Sequence, residues 1–576
     1  MPTNVYFGDL HVHTSWSHDA YGMGGNRIGP RDAYRFARGE AVKISNGIVT
    51  QLATPLDFTA LTDHAEGFAF MTACTYEDHS QYDSDVCKVM RTQRWDSELF
   101  NTLVGRAQAR PETPDPELCA DFEACVANAD TTWQRIQTVA EEFNDPGKFT
   151  TLIAYEFTPM LQQYGMLHRN VIFRGSEVIP HAFSNLDVSS TRDLFQKLDA
   201  ACQLPCRVIT IPHNNNYSWG LMFSRTDEDG AEYQAVDLDR RARLERLAEV
   251  AQIKGESECH VGLGTTDEEC GFEKIFEPCA DGESARCATE TSFVRNALLD
   301  GLQLASERGI NPFKLGIIGS TDTHNSDPGN VDPRNKYAPA RGNAEAVQQV
   351  LERSHVVVGD MRRTSVGALA AVWAADNTRT EIWDALHRRE TFATSGSRLK
   401  VRFFAGALPE NMDNSTANVA AAYAHGVPMG GTLAAIKSAP SFWVSVARDP
   451  LGAPLDRVQV IKGWLKNGEE QHKVWDVACA DGRSADDSSR CPKTAADIDL
   501  ETCAQKNDVG AAELSAHFVD PDFAPDQRAF YYIRVLENPT CRWTTWLANS
   551  VGVALPNDVP ATLQNRAWTS PIWIEP

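Results

Sequence analysis

Two histidines near the start of the chain have the spacing of metal ligands. In "YFGDLHVHTSWSHDA", His11 and His13 follow a short apolar run and precede His18 and Asp19. If residues 5–12 form a strand, side chains two positions apart share a face, about 6 to 7 Å apart along the backbone. Neutral imidazoles commonly bind zinc and similar ions, and carboxylates complete the shell where the metal also activates water. A polar strand end with two solvated histidines explains this stretch equally well when it is taken alone.

Residues of the same kind recur at the ends of later apolar runs. These are His64 in "LDFTALTDH", Glu156 in "FTTLIAYEFT", His213 in "CRVITIPHN", Lys254 in "LAEVAQIKG", and Asp322 and His324 in "FKLGIIGSTDTH". Short strands alternating with helical stretches are typical of a parallel α/β architecture, whose active sites lie at the carboxyl ends of the strands. We therefore predict that these side chains meet at one site. Because a carboxylate in an apolar strand needs a cation or a proton, Glu156 supports a metal at that site.

The pattern divides the chain into two regions. Residues 1–398 read as strands and helices, with cysteine-bearing insertions at about 66–148 and 256–290. The candidate helices lie at 130–143, 191–201, 293–308, 344–352 and 379–389. Residues 399–576 read as antiparallel strands, with "KNGEE" as a hairpin turn. The expected architecture is therefore an α/β unit followed by a β-rich region packed on it.

The composition excludes two classes of partner. The formal net charge of −24 repels nucleic acid and anionic membrane surfaces. Since no apolar run approaches the roughly 20 residues of a membrane span, no transmembrane segment is expected. The remaining expectation is a small-molecule partner.

The cysteines predict an oxidising environment. The 14 cysteines fall into six close pairs, with Cys503 and Cys541 left over: 74/87, 119/125, 202/206, 259/270, 279/287 and 479/491. An even count in Asp- and Gly-rich stretches favours disulfides, although the spacing does not settle their connectivity. Free or metal-binding thiols are the alternative, but no C-x2-C pair is present. We expect an exported protein, periplasmic or secreted, from which a signal peptide has been removed ahead of the first motif.

The motifs also resemble a known group of enzymes. The series "DLHVHTSWSHDA", "LTDH", "AYEFT", "IPHN" and "GSTDTH" resembles the PHP (polymerase and histidinol phosphatase) superfamily of metal-dependent phosphoesterases. The strings "LHRNVIFRG", "QIKGESE", "NPFKLGIIGSTDTHN", "FYYIRVLE" and "RAWTSPIW" resemble the DUF3604 family over nearly the whole chain. The resemblance implies a distorted (β/α)7 TIM-like barrel with a β-rich C-terminal region. It also implies two or three divalent ions, which are zinc, manganese or iron.

The resemblance assigns ligand roles to eight residues. The implied metal ligands are His11, His13, Asp19, His64, Glu156, His213, Asp322 and His324. Glu156 corresponds to a carboxylate that bridges two metals, and Asp322 is expected to take the proton of a bridging water. Asp19 stands where the superfamily often has histidine, and His18 matches no ligand position. Asp63, on the opposite face from His64, is expected to orient an imidazole from behind.

Other polar residues near the strand ends are candidates for substrate contact. Arg169, in "LHRN", has a guanidinium suited to clamping a phosphate or carboxylate, although a salt bridge to the acidic insertion is the alternative. His168 is expected to protonate a leaving group or to bind metal. Lys254 is expected to neutralise an anionic group or to pair with a nearby glutamate. Asn214 is a weaker candidate for substrate binding.

Together these residues predict a metal-dependent hydrolase that uses a metal-bridging hydroxide. A phosphate ester is the expected substrate, because the resemblance and the bases Arg169 and Lys254 both suit an anion. An amide, lactone or other carbonyl compound is the alternative, since the same nucleophile attacks either kind of bond. A third hypothesis is a metal-binding protein without catalytic activity, although the full ligand set argues against it.

Overall fold

We describe a computed structural model of the 576-residue chain. The structure describes residues 1–43, 48–92, 119, 121–159, 161, 165–337, 340, 342–352 and 359–576. The middle of the predicted insertion at 66–148 therefore lies outside the described residues.

The described residues form twelve α-helices, and a helix lies at each of the five predicted positions. They are α1 (His18–Gly22), α2 (Pro30–Ala37), α3 (Phe68–Thr75), α4 (Asp85–Thr92), α5 (Phe122–Phe143), α6 (Thr191–Ala201), α7 (Ala235–Leu244), α8 (Val294–Arg308), α9 (Ala344–Glu352), α10 (Arg379–Arg388), α11 (Thr416–His425) and α12 (Trp543–Asn549). Helix α6 begins where predicted because the Ser190 side chain accepts a hydrogen bond from the Asp193 N–H. Helix α5 begins earlier than predicted, since Asp121 caps it by accepting from the Ala124 N–H.

The strands are short in the first two-thirds of the chain and longer near its end. They are β1 (Asn4–Asp9), β2 (Val42–Lys43), β3 (Val49–Thr50), β4 (Phe58–Ala60), β5 (Thr150–Leu152), β6 (Ala154–Phe157), β7 (Arg169–Phe173), β8 (Val208–Pro212), β9 (Leu247–Gln252), β10 (Gly255–Glu256), β11 (Gly316–Gly319), β12 (Leu369–Ala374), β13 (Thr391–Thr394), β14 (Lys400–Gly406), β15 (Gly426–Pro428), β16 (Thr432–Ala434), β17 (Ser441–Ala447), β18 (Leu455–Lys466), β19 (Glu469–Cys479), β20 (Glu513–Val519), β21 (Ala529–Cys541), β22 (Thr562–Thr569) and β23 (Ile572–Glu575).

These strands make a mixed α/β structure of several sheets. The largest has the order β16-β23-β21-β22-β13-β12-β1-β4-β5, and β18 and β19 extend it from β21. Smaller sheets are β10-β9-β11, β6-β7-β8, β15-β14-β17-β20 and β2-β3. No one of these sheets closes into a barrel within the described ranges. Single parallel bridges nevertheless join Val12 to Thr323, His64 to Glu156, and Thr210 to Glu245.

The direction of β7 differs from the parallel arrangement expected from the sequence. It runs antiparallel to both β6 and β8. Its first residue, Arg169, therefore lies opposite Phe157 and Pro212, at the carboxyl ends of its two neighbours. Residues just before β7 thus reach the same end of the sheet as residues just after β8.

The strands of the last third form both a hairpin and a shared core. The predicted "KNGEE" turn joins β18 to β19, and Asn467 (φ 56°) and Gly468 (φ 83°) adopt the left-handed conformation that a two-residue turn requires. One hydrophobic core contains Phe7 and Phe392 together with Val460 of the C-terminal strands. One continuous sheet crosses the predicted boundary at residue 398, because β13 before it pairs with β22 after it. The division into two regions at this residue remains a prediction.

All 14 cysteines form disulfides. The six close pairs predicted from the sequence are bonded within themselves, and Cys503 bonds to Cys541. Seven disulfides indicate an oxidising, extracellular environment. Among the described helices, none combines the length and the apolar character needed to cross a membrane.

Candidate metal centre

Glu156, at the end of β6, lies at the centre of a buried histidine cluster. Its Oε2 is 3.1 Å from His11 Nε2 and 3.2 Å from His13 Nε2. Its Oε1 is 3.0 Å from His213 Nε2 and 2.8 Å from His168 Nδ1. The two carboxylate oxygens therefore face two different pairs of imidazoles. The structure therefore brings His11, Glu156 and His213 together from the ends of β1, β6 and β8, as the sequence predicts.

Asp322 contacts the same cluster from the segment after β11. Its Oδ1 lies 3.3 Å from His11 Nε2 and 3.2 Å from His13 Nε2. Its other oxygen pairs with the ammonium group of Lys254. The backbone of Asp322 is left-handed, with φ 56°, an uncommon conformation for a residue other than glycine that is often found at functional sites.

A second group of possible ligands surrounds Asp19, at the start of α1. Asp19 Oδ2 lies 2.7 Å from His324 Nε2 and 3.2 Å from His64 Nε2. The His13 ring stacks on the His64 ring, with 4.4 Å between centroids, so this group adjoins the one around Glu156. All eight residues that the resemblance assigned as metal ligands are therefore near neighbours.

The donor atoms fall into sets compact enough to hold metal ions. Four sets have all their donor atoms within 4.8 Å of one another: His13, Asp19, His64 and His324; His11, His13 and Glu156; Glu156, His168 and His213; and His11, His213 and Glu249. A fifth such set, Cys259, Asp267 and Cys270, is not a candidate because its two cysteines are bonded to each other.

Several buried atoms in this cluster lack hydrogen-bond partners, and two of them lie close together. His13 Nε2 and Asp322 Oδ1 are 3.2 Å apart, and neither forms a hydrogen bond with any described residue. Unpaired polar atoms are costly to bury, and a shared cation would satisfy both. A donor set of imidazoles and carboxylates suits zinc, manganese or iron, so the residues present fit a divalent metal.

The electrostatics of the cluster favour ionised carboxylates. Burial raises the pKa of Glu156, but His64 and His213 outweigh this effect and hold that pKa well below its usual range. Burial likewise raises the pKa of Asp322, but Lys254 and His11 lower it by more. The pKa of Asp322 therefore lies well below its usual range. Both side chains are therefore carboxylates at neutral pH, the form that binds cations.

Glu249, in the middle of β9, is a member of the cluster that the sequence analysis missed. Its carboxylate oxygens lie 3.2 and 3.3 Å from His11 Nδ1, on the side of the ring away from Glu156. A carboxylate in this position fixes the orientation and tautomer of an imidazole. The signal was present, because Glu249 is an acid inside an apolar strand, as Glu156 is.

Two hydroxyl groups hold other imidazoles from behind. Ser17 Oγ lies 3.1 Å from His13 Nδ1, and Thr158 Oγ1 lies 2.5 Å from His64 Nδ1. Asp63 was expected to orient an imidazole. It instead accepts hydrogen bonds from the N–H of Thr14 at 2.6 Å and from the hydroxyl of Thr14 at 2.8 Å. That expectation was wrong.

His168 and Arg169 are neighbours in the chain but have different surroundings. His168 joins the cluster, and burial lowers the pKa of its imidazole to about 4. The Arg169 guanidinium instead pairs with Glu245 at 2.8 Å and donates to the Leu167 carbonyl oxygen at 2.7 Å. Side chains alternate between the two faces of a strand, so the two residues point to opposite sides. The structure does not bring Arg169 to the cluster, and its salt bridge is not to the acidic insertion.

The remaining candidates lie close to the cluster. Lys254 pairs with Asp322 rather than with a nearby glutamate, and its side chain remains 13% exposed. The Asn214 side chain accepts a hydrogen bond from Gln252, whose own oxygen accepts from the Lys254 N–H. His18 is buried beside His64 with 5.3 Å between ring centroids, but it belongs to none of the donor sets.

Comparison with known proteins identifies the family of the chain. A family model described as "Protein of unknown function (DUF3604)" matches residues 1–576. The search of the curated proteins and the search of the solved structures each gave no match. Because the family model covers the full length, the chain belongs to the DUF3604 family.

Proposed function

We propose that this protein is a metal-dependent hydrolase whose favoured substrates are phosphate esters. The observation that carries the proposal is the position of Glu156, whose two oxygens face separate pairs of imidazoles within 3.2 Å. A carboxylate shared in this way is suited to bridging two metal ions. Divalent ions held here would lower the pKa of a water molecule and stabilise the charge that develops on the oxygen under attack.

The residues suggest two or three ions, held by three of the donor sets. His11, His13, Glu156 and Asp322 would hold one ion, and Glu156, His168 and His213 a second. Asp19, His64 and His324, together with His13, would hold a third. The neutral imidazole of His168 suits a ligand better than a proton donor, because metals bind the unprotonated ring. Asp322, which contacts two ligands of the first ion, remains the proposed proton acceptor.

Lys254 and Asn214 are the proposed substrate contacts. The ammonium group of Lys254 is partly exposed beside Asp322, where it can neutralise an anionic group of a bound substrate. Asn214 is held next to it through Gln252 and directly follows the ligand His213. A phosphate ester suits a cation at this position better than a neutral ester or amide does. Arg169 is not part of the proposed site, because Glu245 occupies its guanidinium.

The proposal includes a relation to the PHP superfamily and its distorted seven-stranded barrel. A ring of β1, β4, β6, β7, β8, β9 and β11 is supported by ladders between some neighbours and by single bridges between the others. In such a ring the ligands would line one end, at the carboxyl ends of most strands. Export to the periplasm or to the medium is proposed from the seven disulfides.

Metal analysis and substrate screening test the function. We expect two or three divalent ions per chain and hydrolysis of phosphate esters after reconstitution with zinc, manganese or iron. His213→Ala should lose metal and activity. The matched control is His181→Ala, because His181 is also held by carboxylates, at 2.6 and 2.7 Å, but lies outside the donor sets.

The screen includes esters, lactones and amides so that each outcome decides between hypotheses. Hydrolysis of carbonyl substrates alone would replace the phosphoesterase proposal with its alternative. Bound metal without any hydrolysis would favour a metal-binding protein without catalytic activity. A protein that binds no metal, or equal metal loss in both histidine variants, would remove the proposed site.

A further inference from the structure

Basic side chains gather at the amino ends of several strands, opposite the ends that carry the metal ligands. Arg207 and Arg246 directly precede β8 and β9, and Lys314 and Arg389 each lie two residues before β11 and β13. By contrast, His213 follows β8 at its other end. The two ends of β8 therefore carry different chemistry, with a base at one and a metal ligand at the other.

Backbone contacts bring Arg246 and Arg389 together. The Gly316 N–H, at the start of β11, donates to the Arg246 carbonyl oxygen at 2.9 Å. A Cβ atom on Gly316 would lie 2.7 Å from Arg389 Cβ, so the absence of a side chain at Gly316 lets Arg389 pack closely there. The two arginines thus flank the same residue.

Arg207 and Arg246 both approach the last turn of α10. The Arg246 Nε–H donates to the His387 carbonyl oxygen at 3.1 Å. The His387 ring stacks on the Trp383 ring, with 5.1 Å between centroids and 16° between planes. The guanidinium carbon of Arg207 lies 5.7 Å from the centroid of that Trp383 ring. Burial, Arg246, Arg207 and Arg389 lower the pKa of His387 to about 4 against the opposing effect of Asp384, so all three arginines act on this one imidazole.

These three arginines form no ion pair with a described residue. Glu575 and Asp384 act on Arg389 and Arg207 only through space, and each of these acids is already paired with another base. Arg207 is exposed and Arg246 half-buried. Arg389 is only 8% exposed, yet its one hydrogen bond from the guanidinium goes to the Gly430 carbonyl oxygen at 3.3 Å. The nearby bases Lys314 and Arg174 pair with Glu575 and Asp384.

The charge of the chain makes this arrangement informative. Acidic residues outnumber lysine and arginine by 78 to 54, so acids are plentiful as partners. A buried guanidinium without a counter-ion is costly, because its charge loses hydration without gaining an ion pair. Burial and Arg246, opposed in part by Glu575, lower the pKa of Arg389 to about 9, which still leaves it charged at neutral pH. An anion from outside the chain would offset this cost.

We propose that Arg207, Arg246 and Arg389, which we term the basic cluster, bind an oxyanion of the phosphate class. Guanidinium groups match phosphate oxygens in bidentate geometry, and a half-buried set excludes part of the competing water. The ligand is either inorganic phosphate or the phosphate group of a small organic monoester. The basic cluster is separate from the metal centre and does not depend on the proposed function.

Calorimetric titration of phosphate into the full chain tests the proposal. We compare wild type with Arg246→Gln and Arg207→Gln at constant ionic strength, and each variant should bind phosphate about tenfold more weakly. The control is Arg174→Gln, since Arg174 lies nearby but already pairs with Asp384 at 2.7 Å. Its phosphate affinity should equal that of wild type. The exposed position of Arg207 keeps one variant free of folding effects.

His213→Ala separates the basic cluster from the metal centre, because phosphate can bind at both. In this background the effect of Arg246→Gln should persist. Glycerol 2-phosphate, titrated in the same background, distinguishes the sources: tighter binding than inorganic phosphate indicates an organic monoester, and equal binding indicates free phosphate. The proposal is overturned if wild type binds no phosphate, if the arginine variants bind it as well as wild type, or if His213→Ala alone abolishes binding.

Discussion

Arg534 is the buried cation that joins the C-terminal sheet to the segment after β10. It lies in β21 with no exposed surface, and its Nη2 is 2.9 Å from both carboxylate oxygens of Asp267. Its Nη1 is 3.2 Å from Glu258 Oε2, and its Nε donates to Gln459 at 2.7 Å. Arg295 of α8 contacts the same two acids. Replacing Arg534 with methionine would therefore leave the two buried carboxylates with one arginine in place of two.

We expect Arg534→Met to lower the free energy of unfolding by about 3 kcal/mol. Methionine keeps much of the apolar volume but removes the hydrogen bonds to Asp267, Glu258 and Gln459. Breaking a buried ion pair by removing one partner costs about 3 to 5 kcal/mol, because the other charge stays buried. Since Arg295 still contacts both acids, the lower end of this range applies.

Urea unfolding at pH 7, followed by tryptophan fluorescence with the disulfides intact, measures the effect. The matched control is Arg174→Met, because Arg174 also forms a two-pronged pair, with Asp384 at 2.7 and 2.8 Å, but is 31% exposed. An exposed pair contributes about 1 kcal/mol or less. Equal losses of stability in the two variants would refute the argument that burial sets the cost.

The same variant should change the response to acid. Burial raises the pKa of Asp267, but Arg534 and Arg295 outweigh it and hold this pKa well below its usual range. Because the pKa of Asp267 is lower in the folded than in the unfolded chain, its carboxylate stabilises the fold at pH values above the unfolded pKa, near 4. This stabilisation is lost as the pH falls from there through the folded pKa. Wild type should therefore lose more stability than Arg534→Met on acidification below about pH 4. Parallel losses in both proteins would contradict this account.

Three further changes test other parts of the structure. Burial raises the pKa of Glu537 to about 8, so the stability it contributes is present below about pH 4.5 and lost as pH rises through about 8. Glu537→Gln should therefore melt higher than wild type at pH 9, and a lower melting temperature there would contradict the shift. Glu249→Ala should weaken metal binding about 10- to 100-fold. Glu249→Gln should weaken it less, because the glutamine oxygen can still accept a hydrogen bond from the imidazole of His11. Unchanged metal affinity in the alanine variant would exclude a positioning role for Glu249. Replacing Cys503 and Cys541 with serine opens a loop with a sequence separation of 38, and the chain-entropy model gives a loss of about 4 kcal/mol, against about 2 for the shortest disulfide loop. Equal urea midpoints for the two disulfide variants would contradict that model.

Helices were predictable from the sequence because their signals are local. The predicted helix 191–201 was correct at both ends. Its start could be read from the sequence because the capping residue, Ser190, directly precedes the helix. The direction of β7 was not predictable in this way, because it depends on pairing with β6 and β8 rather than on residues inside the strand. Helical boundaries thus followed from nearby residues, and strand orientation required contacts distant in sequence.

The site shows the same distinction between local and distant information. Positions of acids and histidines at strand ends were enough to predict the grouping of His11, Glu156 and His213. Arg169 was wrongly predicted to contact the substrate. The side of the sheet to which its side chain points depends on the register of β7, and only the pairing of β7 with β6 fixes that register. Glu249 was missed because it lies in the middle of β9, where it reaches the cluster from behind His11 rather than from a strand end.

The cluster around Asp267 shows what a structurally complete set of buried charges looks like in this chain. Asp267 and Glu258 face Arg295 and Arg534, whose guanidinium groups stay charged at any ordinary pH. Two negative charges meet two positive ones, and every partner comes from the chain itself. Such a set needs no ligand, and its role is to join segments that are distant in sequence.

The cluster around Glu156 lacks that balance. Four carboxylates, Asp19, Glu156, Glu249 and Asp322, contact its imidazoles, and Lys254 is the one permanent cation paired with them among the described residues. Four negative charges less one positive charge leave three, and either protons on the imidazoles or bound cations can balance them. Burial opposes protonation, but the nearby carboxylates raise the pKa of His11 and His13 and bring that of His64 to about 10. Because unpaired buried charges are costly, this cluster needs positive charge beyond that of Lys254, and the proposed divalent ions would supply it in place of the imidazole protons. The difference between the two clusters is therefore a physical reason to place metal at Glu156 and not at Asp267.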